Sequence, residues 1–265
     1  MVNLGARVDR DDWDQHWESY AQEAEQNPAQ RYRRQLVQKL LVRYGCSNAS
    51  HILDIGSGQG DMASALRIKF PEAEVAGAEL STKGVEVAAH KVPSATFFQR
   101  DLLKPCNDIG PLRSWAQFAV CSEVLEHVDY PKLFLENAGD YLAPGAVLVV
   151  TVPGGPKSKF DLHIGHRRHY TPASLGDLLT SSGFSVDLVT TAGFPFFNLY
   201  RLLVILRGSR LITDVDCTSR NRSPVLARIV MAFFRVLFTM NLVGTTLGWQ
   251  TIAVGRKRDT GAGQE

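Results

Sequence analysis

Special means of bracing or tethering are scarce in this sequence. Its 265 residues include four cysteines, Cys46, Cys106, Cys121 and Cys217, and no C-x-x-C pair. Neither a zinc site nor a disulfide framework is indicated, and reduced thiols in a cytoplasmic protein are expected. The stretch from Met1 to Asp12 is polar and carries Asp9, Asp11 and Asp12, which argues against a secretory signal. A formal net charge of +2 supplies no global field for nucleic acid, so no nucleic-acid partner is expected. Internal repeats and low-complexity blocks are also missing. What is present is ordinary in bulk: 45% hydrophobic and 21% charged residues suit one large α/β domain.

From residue 51 onward, short apolar runs alternate with helical patterns, the mark of βαβ units and a mainly parallel sheet. Strands are predicted at 51–56, 74–79, 95–99, 117–121, 145–152, 184–191 and 248–255. Helices fall near 61–69, 82–91, 130–141 and 172–182. Ahead of them, residues 11–44 read as two cap helices, the second with Leu36, Val37, Leu40 and Leu41 at helical spacing. Asn27 suits its N-cap and Pro28 its first turn. The single domain thus divides into a helical cap (11–44), a core (45–195), an insert (196–247), a last strand (248–256) and a disordered tail (257–265).

The insert breaks the alternation. It holds Phe196 to Leu206 and Val225 to Val243, both apolar, with Arg201, Arg207, Arg210, Arg220, Arg222, Arg228 and Arg235 against only Asp214 and Asp216. The first run is too short to span a bilayer, and Arg228 and Arg235 interrupt the second. Two readings remain and can coexist: a cap packed on the domain or on a homodimer partner, or a peripheral contact of 196–243 with the inner face of a membrane.

The chemistry begins at Leu53-Asp54-Ile55-Gly56-Ser57-Gly58-Gln59-Gly60, where an apolar strand enters a turn with glycine at every second position. Glycine reaches positive φ freely and lets a ligand approach the backbone. In the dinucleotide fingerprint G-x-G-x-x-G the third glycine assists packing near a pyrophosphate. Here it comes one residue early and Asp61 takes its place. Asp54 would repel a phosphate but suits an amino group. S-adenosylmethionine has an ammonium, a sulfonium and a ribose, and no phosphate. Glu79 closes the second strand, where a carboxylate bonds ribose hydroxyls. Asp101 closes the third, placed either to accept an adenine amino group or to act as a plain turn acid.

Two further segments carry titratable groups. After the fourth strand, Ser122-Glu123-Val124-Leu125-Glu126-His127-Val128 would, if helical, stack Glu123 over Glu126 and His127. That face could hold a divalent cation such as Mg2+, or form a network without metal. After the fifth strand come His163, His166, His169 and Tyr170, followed by Thr171 as an N-cap with Pro172 behind it. The histidine spacing is not that of a zinc site. A histidine here is a natural general base, and the spacing leaves open which of the three it is.

Together these residues resemble the class I S-adenosylmethionine-dependent methyltransferases, and among them the ubiquinone-biosynthesis O-methyltransferase group. The likeness covers 27–192 and the final strand. It implies a Rossmann-like seven-stranded sheet of order 3-2-1-4-5-7-6, with helices on both faces and the last strand antiparallel. It also implies a cofactor set of Asp54, Gly56, Ser57, Gly58, Gly60, Glu79, Leu80, Asp101, Leu102, Ser122 and Glu123. Gln30 stands where that group has a cofactor-contacting arginine, so Arg31 or Arg34 is the substitute, and only after a register shift. Some relatives bind a divalent ion on the acid–histidine face, which adds Glu123, Glu126 and His127 as metal candidates. The expected function is methyl transfer to a small hydrophobic acceptor, O-methylation first, of quinone, isoprenoid, polyketide or lipid-linked type. N- or C-methylation, a nucleotide-dependent oxidoreductase and a non-catalytic scaffold are the rivals.

Overall fold

The computed structural model describes residues 27–105, 109–216 and 224–259, without the side chains of 207–229. The predicted helix ahead of Asn27 and residues 260–265 of the predicted tail fall outside these residues, as do Cys106 and Cys217. The strands are β1 (His51–Ile55), β2 (Glu74–Glu79), β3 (Thr96–Gln99), β4 (Ala116–Ser122), β5 (Leu142–Pro153), β6 (Phe184–Phe194), β7 (Leu242–Thr245) and β8 (Gln250–Lys257). They form one sheet of order β3-β2-β1-β4-β5-β8-β6-β7. Pairing is parallel from β3 to β5, and β8 runs antiparallel to both β5 and β6. β1 and β5 are near-continuous apolar runs because helices cover both faces of the sheet.

The expected strand order is present with one addition. Leu242 to Thr245, assigned to the helical insert by its sequence, instead extends the sheet as β7 against the end of β6. A four-residue strand carries too little pattern to be told from a loop.

Helices α1 (Pro28–Arg43), α2 (Asp61–Lys69), α3 (Thr82–Lys91), α4 (Pro131–Gly139), α5 (Lys159–His163) and α6 (Pro172–Ser181) surround the core, and the insert adds α7 (Phe196–Asp216) and α8 (Pro224–Leu237). Asn27 caps α1 by accepting the Ala29 N–H at 2.9 Å, and Thr171 with Ser174 forms a capping box for α6. One core layer joins β1, β4 and β5 to α4 and α6. The other joins the opposite face to α1, α2 and phenylalanines of the insert. In that second layer Tyr32 of α1 lies 5.6 Å from Phe197 and 5.5 Å from Phe238, ring to ring. Such pairs add about 0.5–1.5 kcal/mol each beyond burial, so the insert is stapled to α1 and does not hang free.

β1 pairs with β2 on one side and β4 on the other, so the order reverses between β1 and β4. At that point the loops leaving the strand ends diverge and open a crevice. The turn after β1, the turn after β4 and the loop after β5 all reach it.

Candidate active site

Gly56, Gly58 and Gly60 have φ of 72°, 53° and 79°, the left-handed region that a side chain rarely tolerates. A Cβ on Gly56 would lie 2.6 Å from Val124 Cγ2, and one on Gly77 2.7 Å from Ser57 Oγ. Glu79 braces the turn: it accepts the Gly58 N–H at 2.8 Å and the Ser81 N–H at 3.0 Å. A carboxylate only accepts, so it suits a hydroxyl donor.

Beneath the turn, Asp54 is buried, and its Oδ2, like Ser57 Oγ, has no hydrogen-bond partner among the described residues. Burial, reinforced by Glu79, pushes the Asp54 carboxyl up to about 7. Two carboxylates and an orphaned hydroxyl facing a backbone cradle fit a ligand with a cationic amino group and a ribose. They oppose a phosphate. S-adenosylmethionine meets this test, with Asp54, Ser57, Gly58 and Glu79 as the residues that would hold it.

The outer cofactor candidates differ among themselves. Asp101 closes its own turn, accepting from Leu103 N–H at 2.9 Å and facing Lys104 Nζ at 3.0 Å. Leu102 is packed in the core and Leu80 is exposed at the rim. Ser122 bonds Thr151 at 2.8 Å. Arg34 is half-buried on the flank of α1, whereas Arg33 points inward.

The segment after β4 is a turn and not a helix, which separates the acids expected on one face. Glu123 adopts φ of 58° and pairs with Arg33 at 3.0 Å, Gln250 at 2.7 Å and Thr151 at 3.3 Å. These partners overdetermine a conformation that costs of order 1–3 kcal/mol. Glu123 therefore braces α1, β5 and β8 together. Glu126, fully buried, has no hydrogen-bond partner for either oxygen among the described residues, and burial with the Glu123 charge drives its carboxyl well above the usual range.

His166 replaces Glu123 beside Glu126 and His127: ligating atoms of these three all lie within 4.8 Å of one another. The expected metal set of Glu123, Glu126 and His127 is thus not assembled. Two imidazoles and one carboxyl do not suit Mg2+, which demands a near-octahedral shell of oxygens.

The loop after β5 folds back over this turn through Arg167 N–H to Glu126 O at 2.8 Å. His166 meets His127 edge-on with centroids 4.7 Å apart, and its Nδ1 lies 3.3 Å from His169 Nε2. His169 Nδ1 lies 3.1 Å from the Gly155 carbonyl. A carbonyl only accepts, so His169 carries its proton on Nδ1 and offers Nε2 to His166 Nδ1–H. His166 Nε2 is then bare. Burial and the neighbouring His127 hold His166 down at about 2, and burial also lowers His169, so both rings are neutral at pH 7.

His163 is exposed at the end of α5. Tyr170 is buried, donating its hydroxyl to Leu125 O at 3.1 Å, which makes it a structural peg.

Asp161 and Arg201 were not anticipated. Asp161 is fully buried between His166 and His169 and takes two bonds from Arg201, at 3.0 and 2.9 Å, with Ser158 on the other side. Burial pulls its carboxyl upward, but Arg201 and Ser158 outweigh this and hold it at about 2. Arg201 comes from the insert, so helix α7 is locked to the histidine loop. Arg33 had a readable signal: it lies four residues from Ala29 and four from Val37, on the buried stripe of α1. Asp161 and Arg201 offered none, because 40 residues separate them.

A parallel sheet with an antiparallel late strand, and a nucleoside cradle built of acids, define a class I S-adenosylmethionine-dependent methyltransferase. Residues 29–189 match the model of the methyltransferase domain family, and the chain belongs to that family. A trans-aconitate 2-methyltransferase of Paracidovorax citrulli is 30% identical over 115 residues, covering 43% of each chain. A ubiquinone biosynthesis O-methyltransferase of Psychrobacter arcticus is 27% identical over 51% of this chain and 58% of that one. The chain thus spans less than half the length of the first of these curated relatives. The [4+2]-cyclase SpnF shares the fold at a TM-score of 0.58 with 16% identity, over 85% of this chain and 81% of that one. The fold alone therefore does not specify the reaction.

Proposed function

We propose that this methyltransferase transfers the methyl group to a hydroxyl of a small apolar acceptor, with His166 Nε2 as the general base. The observation that carries this reading is the run of contacts from the Gly155 carbonyl to His169 Nδ1 and from His169 Nε2 to His166 Nδ1, from which the tautomers follow and His166 Nε2 is left as an acceptor. S-adenosylmethionine, when bound, supplies an electrophilic methyl on a sulfonium. The protein's part is to align the acceptor, keep water out and take its proton. Because His166 is held at about 2, it takes the proton only as the C–O bond forms and turns the acceptor oxygen into a strongly acidic oxonium, while Asp161, pinned by Arg201, stabilises the imidazolium. The apolar, arginine-rich insert beside the loop favours a hydrophobic acceptor of quinone, isoprenoid, polyketide or lipid-linked type.

A carboxylate acceptor, suggested by the name of the trans-aconitate relatives, has no proton to lose and calls for cations at the site. Arg167 is instead paired with Asp129 at 2.8 Å, and Arg168 bonds the Asp129 carbonyl at 3.0 Å. The test is S-adenosylhomocysteine release with hydroxylated apolar acceptors. His166→Gln is expected to lower kcat by about 10²–10⁴ with donor affinity unchanged. Unchanged turnover in that variant, or turnover with carboxylate acceptors only, overturns the assignment.

A further inference from the structure

Helices α7 and α8 each bury one apolar face and present a second to the outside. On α7, Phe197 and Arg201 point inward, while Leu199, Leu202, Leu203 and Leu206 form an exposed stripe at i, i+3, i+4 and i+7. On α8, Phe234 is buried, and Phe233 and Val236 are 59% and 66% exposed. Eleven of the seventeen large apolar side chains exposed among the described residues lie between Leu199 and Leu247. A helix apolar on all sides belongs under cover. Residues 196–248 carry seven arginines, no lysine and two aspartates, both near the end of α7. No helix among the described residues is long and apolar enough to cross a membrane.

We infer that this face docks on the surface of an anionic lipid bilayer, with the leucines and phenylalanine at the acyl boundary and arginines at the headgroups. Charge decides between occupants. Apart from Arg201, which is turned inward and paired with Asp161, the sequence of this segment carries six arginines against two aspartates, so two copies would bring like charge together, which opposes a homodimer through this surface. A bilayer rich in phosphatidylglycerol offers the opposite charge and an apolar interior. The buried Arg201–Asp161 pair sets the docked helix directly against the histidine loop, so a membrane-dissolved acceptor would reach the site without crossing water.

The test is flotation of the full chain with vesicles of phosphatidylcholine alone or mixed with phosphatidylglycerol, without donor or acceptor. It therefore succeeds or fails independently of the acceptor's chemistry. Binding to the mixed vesicles, weakened by salt, is expected, and it should fall at least about tenfold in Leu206→Asp/Val236→Asp, since this variant removes two aliphatic chains from the bilayer contact and adds two negative charges. Both positions are exposed, and an unchanged melting midpoint and sedimentation coefficient would show that the fold persists. A second pair, Leu203→Asp/Phe233→Asp, serves if the first misfolds. The inference is overturned if the full chain ignores anionic vesicles, the face then being covered by a second copy or by residues 1–26. It is equally overturned if the folded variants bind as well as the parent.

Discussion

The half of the crevice that holds the donor cradle and the half proposed for the acceptor are built by opposite strategies. From β1 to the end of β2, fewer than thirty residues supply the glycine turn, Asp54 and Glu79, and the braces are short-range, among them the bond from Gly58 N–H to Glu79 at 2.8 Å. On the other side, Arg33, Glu123, Asp161, Arg201 and Gln250 come from five separate elements and meet only in the folded chain. The donor cradle is local and holds orphaned polar atoms ready for a ligand. The acceptor side is a buried ionic network whose members mostly satisfy one another.

Arg201→Met gives the largest expected break in this contrast. It leaves the Asp161 carboxylate buried without its main partner, at a cost of about 3–5 kcal/mol, read as a drop in denaturant midpoint. Donor affinity by calorimetry should change by less than about twofold, because distant sites add independently. A large loss of donor affinity would show that the halves are not separate. Gly56→Val acts on the other half. A β-branched residue at φ of 72°, meeting Val124, should weaken S-adenosylmethionine binding about a hundredfold. Unchanged affinity would detach the turn from the donor.

Smaller effects sharpen the comparison. Asp54 ionises near pH 7 in the folded chain and near 4 when unfolded, so the free protein loses stability as pH rises from about 4 to about 7. A cationic donor favours the ionised form. Its affinity should therefore rise by up to about tenfold per unit up to pH 7 and level off above, and Asp54→Asn should flatten the profile. A flat profile in the parent protein would remove Asp54 from the ammonium site. Tyr170→Phe should cost only about 1 kcal/mol of stability, with kcat unchanged, because the hydroxyl's partners, Leu125 O and the Arg168 side chain, are structural contacts. A large fall in kcat would return Tyr170 to the chemistry.

Much of the fold was legible because its signals are short-ranged. The start of α1 follows from Asn27-Pro28, the start of α6 from Thr171-Pro172, and helices α2 and α3 match the predicted spans. The errors share a cause. Glu123 to His127 has helical spacing, yet a residue at positive φ held by Arg33 and Gln250 turns the chain there instead. β7 is too short to announce itself and exists because the end of β6 offers it an edge.

By itself, the sequence determined the α/β architecture and the donor. Glycine spacing, a buried acid and a second acid one strand later impose their chemistry over a few residues, so no long-range information is needed. Tertiary structure alone decided the acceptor side. It exchanged Glu123 for His166 beside Glu126, set the tautomers through the Gly155 carbonyl, and used Arg201 to bind the insert to the histidine loop. Each of those contacts joins segments far apart in the chain. Only packing brings such charges close enough, and buries them deeply enough, to act on one another.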